Sequence, residues 1–470
     1  MRRSIGTAFT AAMVVGLAGC GGGGGGGGGG VPLLPIAVAP APAPAPAPAP
    51  QTPAAAELKL TVEIAGTAAT PDGSGKYSVL PGQRVVVRAS DNVAWTGDAG
   101  TGVVTRTDVD TTATEWVSRL ANPDKTKTGA YKLVASASEN RSKELSFVVQ
   151  TGDYRNGDYM VFAANGSRQK LSIDFDKATY SMTDAAGDTT SGTLTPPSPS
   201  TLVNDWKVQS NRITGTNTSA LWGLGDNIVG AFPFAKPFSA PVSYMAAPLV
   251  ATRALLTTQS RLDGTYDRAR IEVTASARES AIAQIQISGG GTVMKQCVDQ
   301  IIYRIEDCPP ASLVTSKVEA DADAESGLWS LKNPADGTLL GRFGIAIFEG
   351  EKIYLSAGTS PATGGQVLAI GVPAAPQYVA FSSFAGWSTS GTMDMSIVST
   401  TSYQLAMTDA TTNLLGLTVA AVGAASPYGI RSAASGPDAF FSMRSKSLEL
   451  LIGARSPSAR AGFLHIGLIQ

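Results

Sequence analysis

The sequence predicts an all-β protein: a β-sandwich followed by a large antiparallel β-barrel or β-sandwich region. Three observations carry this. Leu58, Leu60, Val62 and Ile64 alternate with polar residues at the period of a half-buried strand. The turn pairs Pro81-Gly82, Asn165-Gly166, Asp336-Gly337 and Glu349-Gly350 each precede short apolar, often alternating runs. No helical periodicity of any length appears. The longest apolar stretch, Leu414 to Ala425, is too short to span a membrane and reads as a buried strand or short helix.

Charge narrows the function classes. Against 36 basic residues stand 37 acidic ones, a net charge of −1, and charged residues make up only 16% of the 470. A nucleic-acid binder needs a basic field to displace counterions, so none is expected as a partner. One His and 3 Cys leave little for catalysis, and no metal or cofactor is expected.

The chain begins with a processing signal. Arg2 and Arg3 precede an apolar stretch from Ile5 to Leu17 that is too short for a bilayer span. It ends Leu17-Ala18-Gly19-Cys20, which resembles the lipobox of bacterial lipoproteins. The resemblance implies removal of residues 1–19 and lipidation of Cys20, whose thiol takes a diacylglyceryl group before the new N-terminus is acylated. Two or three acyl chains, palmitate among them, anchor a protein stably where one does not. Gly21 rather than Asp after the cysteine points to the outer membrane.

Residues 20–56 read as a tether. Gly21 to Gly30 is an unbroken glycine run, a flexible coil of roughly 17 Å. Ala39 to Pro50 is an Ala-Pro repeat, a polyproline II rod of about 37 Å. Poly-Gly after a lipidated cysteine resembles surface-exposed lipoproteins such as factor H-binding protein and transferrin-binding protein B. The resemblance implies display at the cell surface over a periplasm-facing position.

Residues 57–151 carry short strands with turn signals between them, the pattern of a sandwich. The segment resembles bacterial immunoglobulin-like domains, with Trp95 in the core tryptophan position and Tyr131 in the tyrosine-corner position. Such domains serve as spacers or binding modules.

Residues 152–310 and 311–470 read as two β-rich barrel or sandwich units. Gly157-Asp158-Tyr159, Gly264-Thr265-Tyr266 and Gly327-Leu328-Trp329 each open a strand as Gly-x-aromatic. This resembles lipocalin-like and avidin-like barrels, which close their edges and can hold one apolar ligand. Phe440 to Ile452 and Phe463 to Ile469 look like a closing pair of strands. With Cys20 lipidated, Cys297 and Cys308 remain as an even pair. Export puts them in an oxidising compartment, so a disulfide is expected, around a strand at Ile301-Ile302-Tyr303.

Candidate chemistry is sparse. Ser167-Arg168-Gln169-Lys170, Ser90-Asp91-Asn92 and Lys127-Thr128-Gly129 resemble the penicillin-binding signature in letters only, in the wrong order and off a helix. His465 sits in an alternating strand and reads as a barrel-rim residue. Asp174 and Asp176 share one strand face, where a glycosidase needs two carboxyls across a cleft. Glu319, Asp321, Asp323 and Glu325 do not match a calcium-loop spacing. Phe232, Phe234 and Phe238 lie in a Pro-rich loop, Phe232-Pro233-Phe234-Ala235-Lys236-Pro237-Phe238. With Trp222 they are either a ligand or partner contact or a cap on the core.

The expected function is non-catalytic binding at the cell surface: an adhesin, or a protein binding a host ligand or nutrient. Its partners would be the membrane, through the N-terminal lipid, and a protein, glycan or small apolar ligand. The rivals are a periplasm-facing envelope-assembly lipoprotein and a carbohydrate-active enzyme on a β scaffold.

Overall fold

The computed structural model describes residues 57–469 apart from 99–103, 108–110, 138–140, 198–204, 214–218, 322–326, 378–382, 390–391, 398–401 and 408–413. It is all-β. Two facing sheets are followed by three closed barrels of eight strands each. The Cys20 thiol and the tether lie outside the described residues.

The sandwich pairs a sheet ordered Thr67–Ala68, Leu60–Ile64, Arg84–Ala89, Glu115–Ala121, Val104–Thr107 with one ordered Lys76–Val79, Ser142–Val149, Gly129–Ala137, Val93–Asp98. Alternation places Val62, Val85, Val87, Leu133, Phe147 and Val149 in one core between them. Burying each such side chain stabilises by roughly 1.5–3 kcal/mol. The core tryptophan is Trp116, not Trp95. Trp116 is 3% exposed and stacks on Tyr131 with centroids 5.9 Å apart. Trp95 is half-buried, its indole N–H donating to the Thr112 carbonyl. The reason is position: Trp95 lies on the last strand of its sheet, Trp116 on an inner one.

Beyond the sandwich every barrel is an up-and-down meander closed by its first and last strands. Gly157–Ala163 pairs with Tyr244–Thr252, Gly264–Val273 with Gln366–Pro373, and Ser383–Ser388 with Leu464–Ile469. Closure leaves no free sheet edge. The region thus divides into three, whereas the sequence suggested a break at 310. That point falls inside the second barrel, in an excursion between the paired strands Val293–Cys297 and Leu313–Ala320. Pro310 there opens a 3-10 turn rather than a linker. The expected strand at Ile301 to Tyr303 is likewise a loop within this excursion. Phe440 to Ile452 is not one strand but the hairpin Asp438–Arg444 and Leu448–Gly453. It turns because the Ser445 hydroxyl accepts from the Ser447 and Leu448 N–H groups.

The Gly-x-aromatic signal marks barrel starts in two of its three occurrences, and there the local structure repeats. The Tyr159 hydroxyl donates to the Arg155 carbonyl at 2.6 Å and the Tyr266 hydroxyl to the Leu262 carbonyl at 3.2 Å. Asn156, three residues before Tyr159, accepts from the Phe175 N–H in the turn after the second strand. Asp263, three before Tyr266, accepts from Gly290 and Gly291 in the corresponding turn. Gly327-Leu328-Trp329, by contrast, leads into the fifth strand of the second barrel, Trp329–Lys332.

Ionic contacts join the sandwich to the first barrel. Arg253, with a side chain 4% exposed, pairs with Asp226 at 2.8 Å and donates to the Tyr154 and Asn156 carbonyls. Arg119 of the sandwich faces the same carboxylate at 3.8 Å and donates to the Gly82 and Arg253 carbonyls. The barrels share one apolar cluster, which holds Ala269, Ile271 and Ile370 of the second together with Val250 of the first and Leu450 and Ile466 of the third.

Candidate ligand-binding site

Tyr266, Arg268, Arg270 and Glu272 share one face of the strand Gly264–Val273, because side chains repeat every second residue. Tyr266 belongs to an apolar floor with Ile285, Met294, Phe343 and Tyr354. A Cβ built on Gly371 would stand 3.1 Å from the Cβ atoms of Tyr266 and Tyr354 and 3.7 Å from that of Arg268. Arg268 therefore points to the inside of the second barrel.

Small neighbours keep this lumen open. Arg268 lies directly opposite Ala283 on one flanking strand and Gly371 on the other, and Arg270 opposite Ala281 and Ala369. The result is a cup of about 840 Å³ above the apolar floor. Its polar lining includes Arg268, Arg270, Gln296, Ser316, Tyr354 and Ser356, and its walls include Val314, Leu331 and Val367. Hairpin turns of the first barrel, around Gly166 and Ala185, contribute to the lining. This size is typical of a small-molecule site. In the first barrel, by contrast, aromatic rings fill the interior: Tyr180 packs edge-on to Phe232 at 5.4 Å, Phe232 lies 5.1 Å from Phe234, and Phe175 lies 5.0 Å from Trp206.

The electrostatics of the cup are asymmetric. Arg270 donates to Glu272 at 2.6 Å, which balances its charge within the barrel. Burial alone would raise the Glu272 pKa, but the Thr363 hydroxyl and the Arg270 charge outweigh it and hold the carboxyl below its ordinary value. Arg268 is 5% exposed and, among the described residues, has no carboxylate within 4.0 Å. Its Nε has no hydrogen-bond partner. Burial lowers its pKa, the Tyr354 hydroxyl works against this through its charge and a hydrogen bond, and the neighbouring Arg270 adds to the lowering. A guanidinium nonetheless starts high enough to stay charged at neutral pH.

The residues singled out from sequence lie elsewhere. Phe232 and Phe234 are buried in the first barrel. Trp222 is buried against Trp387 of the third barrel, centroids 6.2 Å apart. Phe238 alone of the four is exposed, at 51%. Cys297 and Cys308 form the expected disulfide. His465 is fully buried rather than at a rim, its ring 5.0 Å from Phe384. Asp174 and Asp176 do not share a strand face: Asp174 ends the strand Arg168–Asp174 and pairs with Lys177, whereas Asp176 lies in the turn that follows and pairs with Lys125. Glu319 pairs with Lys317 and Lys332, and Asp321 with Arg342. Asp323 and Glu325 lie outside the described residues.

Arg268 and Arg270 were missed, although a signal existed. In Gly264-Thr265-Tyr266-Asp267-Arg268-Ala269-Arg270 the arginines share the phase of the core aromatic, so a strand assigned by Tyr266 already turns them inward. No family model matches the chain, and no curated protein or solved structure matches it.

Proposed function

We propose that the chain is an outer-membrane lipoprotein, held through Cys20, that binds a small ligand without transforming it and is displayed at the cell surface. The observation that carries the binding reading is the open cup of the second barrel, with a buried arginine facing an unfilled lumen. The lipobox-like Leu17-Ala18-Gly19-Cys20 and the glycine and Ala-Pro tether support the anchored, displayed position. Two sheets facing across a Trp116, Tyr131 and Phe147 core support residues 57–151 as an immunoglobulin-like spacer between tether and barrels.

Two measurements test the placement. Radiolabelled palmitate is expected in the mature protein and absent from Cys20→Ser. Protease added to intact cells is expected to remove the protein. Full protection would instead place it on the periplasmic face, as an envelope component. The cup is tested by ligand-induced protection of the second barrel from hydrogen exchange.

A further inference from the structure

We infer that the second barrel takes an organic monoanion, a carboxylate on an apolar body, with its carboxylate seated on Arg268. This deepens the binding reading above and rests on it.

Three features of the cup select this chemistry. The first is the unbalanced charge. Arg270 already has Glu272. Arg268 is more than nine-tenths buried, has an unpartnered Nε and meets no carboxylate among the described residues. An arginine left so is costly unless something neutralises it. Arg342, also in the lining, already has Asp321, and Arg168 and Asp184 bring one charge of each sign from the first barrel, so the Arg268 guanidinium calls for one negative charge and a phosphate dianion would overshoot. A guanidinium also presents paired N–H donors that match the two oxygens of a carboxylate.

The second feature is depth. Arg268 stands just above the apolar floor formed by Tyr266, Phe343 and Tyr354. Its cross-strand neighbours, Ala283 and Gly371, put no long side chain in front of it. A charged head must therefore go in first.

The third is the wall above. Val314, Leu331 and Val367 line the upper cup together with Ser316 and Ser356. An aliphatic or aromatic body fits such a wall, and an inorganic anion would leave most of the volume empty.

The experiment uses the full chain in detergent with three probes of equal length: decanoate, decanol and decyl phosphate. Binding is followed by calorimetry and by hydrogen exchange of the strand Gly264–Val273. Decanoate is expected to bind at least tenfold more tightly than either of the others. Arg268→Met should weaken decanoate at least 30-fold and leave decanol within threefold. A second variant guards against a folding defect: Ala283→Asp places a carboxylate opposite Arg268. It should raise the melting temperature and abolish decanoate binding while sparing decanol.

Equal binding of decanol and decanoate overturns the anionic assignment but keeps the cup as a ligand site. Tighter binding of decyl phosphate overturns the monoanion assignment. Failure of all three probes to protect the strand overturns both this inference and the binding reading it rests on. Undiminished decanoate binding in Ala283→Asp places the carboxylate elsewhere and overturns the role of Arg268.

Discussion

Arg268 and Gly371 oppose each other across the seam that closes the second barrel. The pairing joins a buried cation to a residue with no side chain, and the absence matters on both sides of the seam. Tyr354 lies opposite Gly371 on the next strand, so any added carbon stands between Tyr266 and Tyr354 at 3.1 Å from each Cβ. Gly371→Ala is therefore expected to destabilise the protein by about 1–3 kcal/mol through overpacking. A urea titration checks this; an unchanged midpoint would show that the seam has slack.

Asp267, the next residue, faces the opposite way and is 1% exposed. Gln284 donates to one of its oxygens at 3.0 Å, and a Cβ on Gly429 of the third barrel would stand 2.6 Å from the other. Burial pushes its pKa up to about 6, against which the Gln284 hydrogen bond works. The folded state thus holds a proton that the unfolded state releases at lower pH. The contribution is complete below the ordinary carboxyl pKa and is lost as pH rises through about 6. Asp267→Asn should leave stability at pH 4 unchanged and raise it at pH 8 by roughly 2–3 kcal/mol. Denaturant melts at the two pH values decide it.

The third barrel buries an ion pair. Arg444 donates to Glu449 at 2.7 Å, with side chains 1% and 0% exposed, and the Ser442 hydroxyl donates to the second oxygen at 2.6 Å. Burial raises the Glu449 pKa to about 7 although Arg444 and Ser442 pull it down. Arg444→Met leaves the carboxylate buried without its cation and should cost about 3–5 kcal/mol at pH 8. Glu449 can relieve that loss by protonating, so the deficit should shrink towards pH 5. Thermal melts across this range would refute the argument if the deficit did not vary with pH.

The Cys297–Cys308 disulfide spans a sequence separation of 11 and pins a loop that buries Ile302 and Ile305. Closing a loop of that length stabilises by about 3 kcal/mol in the chain-entropy model. The Ser426 hydroxyl of the third barrel donates to the Ile302 carbonyl, so the loop also supports the contact between barrels. Reduction with dithiothreitol should lower the melting temperature and speed hydrogen exchange at residues 298–312 before the sandwich responds. Uniform loss across the chain would contradict this local role.

Much of the local structure was legible in the residues. Asn165-Gly166, Asp336-Gly337 and Glu349-Gly350 are hairpin turns, and Leu414–Ala421 is a strand. Two cases misled for physical reasons. Trp95 and Trp116 both sit in short apolar runs, and only strand order decides which reaches the core. The aromatics Phe232 and Phe234 look exposed beside prolines. Yet Pro233 lies within the strand Asn227–Ala235, which alternation then turns inward.

By itself the sequence determined the strand alternation, the turns, the partnership of Cys297 with Cys308 and the aromatic that opens each of the first two barrels. These are local properties, set by period-two patterning, backbone freedom and the count of available thiols. Tertiary structure alone decided that Gly264–Val273 closes against Gln366–Pro373, that Ala283 and Gly371 flank Arg268, and that this guanidinium has a cavity rather than a carboxylate before it. Closure joins strands far apart in the chain, and whether a lumen fills or stays hollow depends on which residues that closure sets side by side.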